Sequence, residues 1–146
     1  MDFKAIILAC LAGAALPVQV GLNTTLARHG SGAVWAAMVS FAVGTVGLAA
    51  FVVAQQTAMP GRAELAGAPW WAWLGGLLGA FYVAASIWAA PRLGAALLFA
   101  LIVGGQMVMS STLDHNAALG LPEHPFTFVR GLGVLFIVAG VTLVQR

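Results

Sequence analysis

Residues 93–113 read LGAALLFALIVGGQMVMSSTL, and no charged side chain occurs among them, although Arg92 stands immediately before the run and Asp114 immediately after it. A helix needs about 20 apolar residues to cross the roughly 30 Å hydrocarbon core of a bilayer. The stretch therefore predicts a transmembrane helix with a charge at each end. Outward from it the pattern recurs, an apolar run set between isolated basic residues. Five spans follow, at about 5–26, 33–54, 69–90, 93–113 and 126–144. The predicted fold is all-α, a polytopic membrane protein whose single transmembrane domain covers 1–146.

Composition agrees. Hydrophobic residues make up 62% of the 146-residue chain and charged residues 7%, with a mean hydropathy of +1.00. Soluble domains carry about 25% charge, and six Lys/Arg with four Asp/Glu cannot clothe a soluble core of this size. The basic residues Lys4, Arg28, Arg62, Arg92, Arg130 and Arg146 are scattered one at a time. That distribution offers no patch to neutralise phosphates, so nucleic acid is not an expected partner. Cys10 lies inside an apolar run and is read as a small hydrophobe. Lys4 followed by AIILACLAGAAL has the outline of a secretory signal, but the run continues through Pro17 and Val20 to Leu22 with four further spans behind it. A retained helix is expected.

Two ends need separate treatment. Arg130 lies a turn inside the fifth span, and the uncharged remainder would reach only about 22 Å at 1.5 Å per residue. Arg130 is expected to snorkel to the interface. The alternative, four spans and a surface-lying last helix, is disfavoured because VLFIVAGVTLV at 134–144 has no polar face. Between spans three and four, Pro91 is expected to end one helix by its missing N–H and Gly94 to let the next begin.

Polar residues within the spans mark candidate interior faces, because a polar side chain in lipid must find a partner in the protein or line a wet cavity. Gln19 and Asn23 lie four apart on span one beside Pro17; they serve equally well as interhelical glue or as cavity lining. Span two brings Ser40 with Gly44 and Gly47. Span three aligns Gly75 and Gly79 with Tyr82 and Ser86. On span four Gln106, Ser110 and Asp114 form a stripe at four-residue steps, with His115 beside Asp114 as a possible titratable pair and a solvated loop start as the plainer reading. Gly133 and Gly140 mark a packing face on span five. Trp35, Trp70, Trp71, Trp73 and Trp88 sit where aromatic belts form, and Trp35, Trp73 and Trp88 are alternative cavity walls.

No charged residue lies near the middle of a span, and no nucleotide-binding loop, zinc-ligand spacing or activated nucleophile is visible. An enzyme, a cofactor and a metal site are not expected; His29, His115 and His124 fall in separate loops. With five spans, Lys4, Arg62 and Arg130 share one side of the membrane and Arg28, Arg92 and Arg146 the other, three against three. Orientation normally follows an excess of Lys/Arg in cytoplasmic loops. The balance predicts insertion both ways and an antiparallel homodimer.

Five segments in order, LPVQVGLNTTL (16–26), WAAMVSFAVGT (35–45), WLGGLLGAFYV (73–83), APRLGAALLFALIVGGQ (90–106) and DHNAALGLP (114–122), resemble the YdcZ family of the drug/metabolite transporter superfamily. The resemblance spans nearly the whole chain. It implies a small five-helix transporter-like protein of bacterial inner membranes, often of dual topology, related to the small multidrug resistance exporters. Those relatives carry a membrane-embedded glutamate on the first helix, where this sequence has Gln19 and Asn23, which argues against proton coupling through a carboxylate. The expected function is a small-molecule transporter working between two inverted protomers in the lipid bilayer. Its substrate would be held by Gln19, Asn23, Tyr82, Ser86, Gln106 and Ser110, with Ser40, Trp35 and Trp73 also lining the site, and its helices would pack through Gly44, Gly47, Gly75, Gly79, Gly133 and Gly140. The alternative is a non-transporting accessory or assembly subunit.

Overall fold

A computed structural model describes residues 2–144, apart from the side chain of Thr142. Arg146, one of the six residues in the charge balance, lies outside the described residues. The chain divides into two compact units that meet in sequence between Pro91 and Arg92.

In the first unit, α1 runs Phe3–His29 and α2 runs Ala33–Ala54. Asp2 opens α1: its carboxylate accepts from the amides of Lys4 at 3.0 Å and Ala5 at 3.3 Å, satisfying two of the donors that a helix start leaves unpaired. The 27 residues of α1 reach about 40 Å at 1.5 Å per residue. They carry the helix past both predicted limits, so Lys4 and Arg28 fall beyond a 30 Å apolar layer. Pro17 lies inside α1 and cannot donate to the carbonyl of Gly13. The Gly30–Gly32 turn reverses the chain, with Gly30 N–H donating to the Leu26 carbonyl at 3.0 Å. The six-membered ring of Trp35 lies directly against Gly30, where any side chain would collide with it.

A short α3 (Arg62–Ala66) and a 3₁₀ turn over Trp70–Leu74 lead into α4 (Gly75–Leu93). The core of the unit joins Ala36 and Ala37 of α2 to Val83 and Ile87 of α4, with Leu26 and Ala27 of α1 packed against them. The two alanines let α4 approach, and the two branched residues, four apart on one helix face, fill the space. Gly79 extends the contact, since a Cβ there would stand 3.3 Å from Phe41 Cζ. Little else is covered. Leu8, Leu11, Val43, Val46 and Phe81 are all more than 60% exposed, as expected of side chains solvated by lipid rather than by a protein interior.

The second unit is a helical hairpin. Here α5 (Ala95–His115) and α6 (Phe128–Val144) pack antiparallel, with Gly104 of α5 buried and directed at Val141 Cγ2. Among the described residues, four stretches are long and apolar enough to cross a membrane: Phe3–His29, Ala33–Ala54, Trp70–Leu93 and Ala95–His115. The fifth predicted span is the shorter α6, 17 residues or about 25 Å.

One expected helix end is corrected. Pro91 does not terminate α4, which continues through Arg92 to Leu93. The break falls at Gly94, whose φ of 76° and ψ of 157° belong to a region in which side chains are strained. A proline near a helix terminus breaks one hydrogen bond, whereas a left-handed residue reverses the backbone and stops the helix.

The Gly30–Trp35 contact predicts an overpacking penalty. Gly30→Val should cost about 1–3 kcal/mol in reversible unfolding from detergent, and the cost should largely vanish when Trp35→Ala is added, which a double-mutant cycle measures.

Candidate functional site

Hydroxyl groups within the long helices mostly serve their own backbone. Thr25 donates to the Gly21 carbonyl at 3.1 Å, Thr45 to Phe41 at 2.8 Å and Ser86 to Tyr82 at 2.7 Å. On α5, Ser110 donates to Gln106 at 2.6 Å, Ser111 to Met107 at 2.7 Å and Thr112 to Val108 at 2.9 Å. Each is an i to i−4 bond, the usual refuge of a hydroxyl in an apolar helix. Such a group keeps accepting capacity but has spent its proton.

Not every polar side chain is satisfied in this way. Gln19 and Asn23 of α1 and Ser40 of α2 have no hydrogen-bond partner among the described residues, and all three line one groove of about 610 Å³ between these helices. Its remaining wall is apolar and open, from Val18, Leu22 and Leu26 on one side and Val39 and Val43 on the other, with Val18, Leu22 and Val43 each more than 60% exposed. Asn23 is 94% buried (6% exposed) and its Nδ2 has no partner. Gln19 lies one helical turn below it. Volumes of about 300–1,000 Å³ with few polar groups in an apolar wall are typical of small-molecule sites. Leaving a buried amide unpaired costs about 1–3 kcal/mol. Thr24 and Tyr82 carry the same cost outside the groove and Asn23 Nδ2 is itself closed off, so what sets the groove apart is the convergence of Gln19, Asn23 and Ser40 on one apolar wall.

The other expected site residues are distributed elsewhere. Tyr82 packs beside the α2–α4 core with its hydroxyl buried and unpartnered, as is that of Thr24. Ser86 is buried and bonded to its own helix. Trp35 is half-buried over the Gly30 turn, while Trp73 is 62% exposed on the 3₁₀ turn before α4. Gln106 is exposed on α5, and Ser110 lines a separate groove of about 330 Å³ within the second unit, together with Asp114 and Arg130. Of the expected packing glycines, Gly79 meets a neighbouring helix; Gly44, Gly47, Gly75, Gly133 and Gly140 face open space. Gly104, which does approach α6, was not among them, and the sequence offers no signal separating it from Gly105.

The α5–α6 turn is closely tied. Arg130 Nη1 lies 3.6 Å from Asp114 Oδ2 and donates to the His124 carbonyl at 3.0 Å. The His124 amide donates to the Asp114 carbonyl at 2.9 Å, and the Phe126 amide donates to His115 Nδ1 at 3.3 Å. Arg130 is therefore engaged at the turn. Asp114 takes Arg130 as its partner, not His115, because four-residue spacing along a helix does not report what a returning helix brings alongside.

Residues 4–143 match the model of a family described as "Putative inner membrane exporter, YdcZ". The chain is also 32% identical over 136 residues to the inner membrane protein YdcZ of Escherichia coli (strain K12), covering 92% of this chain and 90% of that protein. No solved structure matches. With four long apolar helices, these matches establish a multi-pass inner membrane protein.

The tie at the turn predicts local rather than global consequences. An exposed ion pair is worth about 0–1 kcal/mol, so Asp114→Asn should barely change stability. Arg130→Leu also loses the bond to the His124 carbonyl. It should raise the rate of cleavage by a glutamate-specific protease at Glu123 several-fold, as measured by mass spectrometry of timed digests.

Proposed function

The chain belongs to the YdcZ family, and from that premise we propose that it is a small-molecule transporter acting as an antiparallel pair of five-span protomers. The observation that carries the reading is the α1–α2 groove. Thr25 and Thr45 on the same two helices bond their own backbone, whereas Gln19, Asn23 and Ser40 converge on the groove from both helices. Helix glue would pair them across the interface.

The antiparallel pair is supported by charge. Counting α6 as a span, Lys4, Arg62 and Arg130 lie on one side and Arg28, Arg92 and Arg146 on the other. Neither orientation then gains from the preference for basic residues in cytoplasmic loops. The length of α6 favours crossing with local thinning of the bilayer, and Arg130 crosses no apolar region because it is tied to Asp114 at the helix start. Two inverted copies give equivalent inward-open and outward-open states, so rocking one against the other supplies alternating access without a repeat in the sequence. No carboxylate lies within α1. Substrate is accordingly held by hydrogen bonds, and Gln19, Asn23 and Ser40 are its main contacts.

Two measurements test this. Reporter fusions at the C-terminus should give signal from both sides of the membrane, and signal from one side alone would remove the antiparallel pair. In proteoliposomes, Gln19→Ala, Asn23→Ala and Ser40→Ala together should lower flux of a transported solute at least tenfold. Full flux in the triple variant would sink the site.

A further inference from the structure

The groove's lining also restricts the charge and head group of what it holds, an inference that rests on the transporter reading above. No Asp, Glu, His, Lys or Arg occurs between Lys4 and Arg28 on α1, and none occurs on α2. A charged solute seated at Gln19 and Asn23 would leave water for an apolar wall without a counter-ion, which is strongly disfavoured in a low-dielectric layer. A wholly apolar solute would leave the half-buried Gln19 carboxamide and the Ser40 hydroxyl without a partner. The occupant is therefore neutral, with an apolar body and one compact polar head.

The head group follows from the donor and acceptor inventory. Each carboxamide offers a donating NH₂ and an accepting oxygen, and rotation about the terminal torsion exchanges them. Gln19 and Asn23 project one turn apart on α1, and Ser40 reaches the groove from α2. The complement of such a set is a group whose donor and acceptor are carried on one carbon. An ether or a ketone answers only the donors, and an ammonium answers only the acceptors while bringing charge. We propose that the α1–α2 groove binds neutral amphipathic molecules with a primary amide or similar donor–acceptor head, placing the head against Gln19, Asn23 and Ser40 and the alkyl body against Val18, Leu22, Val39 and Val43.

The test uses the full chain in lipid nanodiscs and a six-carbon primary amide that bears a diazirine in its alkyl chain. Irradiation should place adducts on residues 15–43. Excess hexanamide should suppress them about tenfold, whereas hexylammonium, or hexanoate at pH 8, should not. Gln19→Leu and Asn23→Leu should each lower competed labelling at least fivefold. Gln19 is only half-buried, so its variant retains the test if the nine-tenths-buried Asn23 cannot be replaced without unfolding. Adducts scattered over the lipid faces without competition would overturn the proposal, as would equal competition by the cation or the anion. Competed labelling without amide flux in proteoliposomes would remove the transport reading and leave the site. Flux of another solute without competed labelling would do the reverse.

Discussion

Inside a hydrocarbon layer no water is present to satisfy a polar group, and the structure is organised by where each one finds its partner. Backbone amides are satisfied within the helices. Thr25, Thr45, Ser86, Ser110, Ser111 and Thr112 turn their protons onto carbonyls one turn back. Asp2 closes the start of α1, and Arg130 gathers the α5–α6 turn through Asp114 and the His124 carbonyl. The exceptions are Gln19, Asn23 and Ser40 at the α1–α2 groove and the buried hydroxyls of Thr24 and Tyr82.

The same constraint explains the paucity of packing. A soluble domain must cover its apolar surface, but lipid is as apolar as leucine, so close contact arises only where shape permits. In the first unit this is Ala36 and Ala37 receiving Val83 and Ile87, with Gly79 beside Phe41. In the second it is Gly104 beside Val141. Small residues open the contacts, a few branched ones such as Val83 and Ile87 fill them, and most large side chains remain outside.

The helices were legible because hydropathy and isolated charges mark apolar runs of spanning length, but their ends were not: α1 overruns both predicted limits and α4 continues past Pro91. The proximity of Gln19 and Asn23 was also legible, since four-residue spacing sets two side chains on one face, and so was Ser40 as a polar residue in an apolar helix. What the one-dimensional pattern could not convey was satisfaction. Ser40 and Ser86 look alike in sequence, yet one lines a groove and the other is bonded to the Tyr82 carbonyl. Nor could it distinguish Gly104 from Gly133, because both sit among apolar residues and only the partner helix determines which is approached. The Asp114–Arg130 pair was hidden for a related reason: it spans sixteen positions and exists only because α6 returns along α5.

The lengths of α1 and α6 have a consequence for the surrounding lipid. One chain contains a 27-residue helix and a 17-residue helix, roughly 40 Å against 25 Å at 1.5 Å per residue, so with α6 as the proposed fifth span no single bilayer thickness suits both. The longer helix relieves mismatch by tilting, and the shorter by drawing the leaflets together, each at a fraction of a kcal/mol per Å. Acyl-chain length thus acts as a mechanical variable on this protein. A thinner membrane relaxes α6 while tilting α1 further, so lipid composition bears on the helix that forms one wall of the groove.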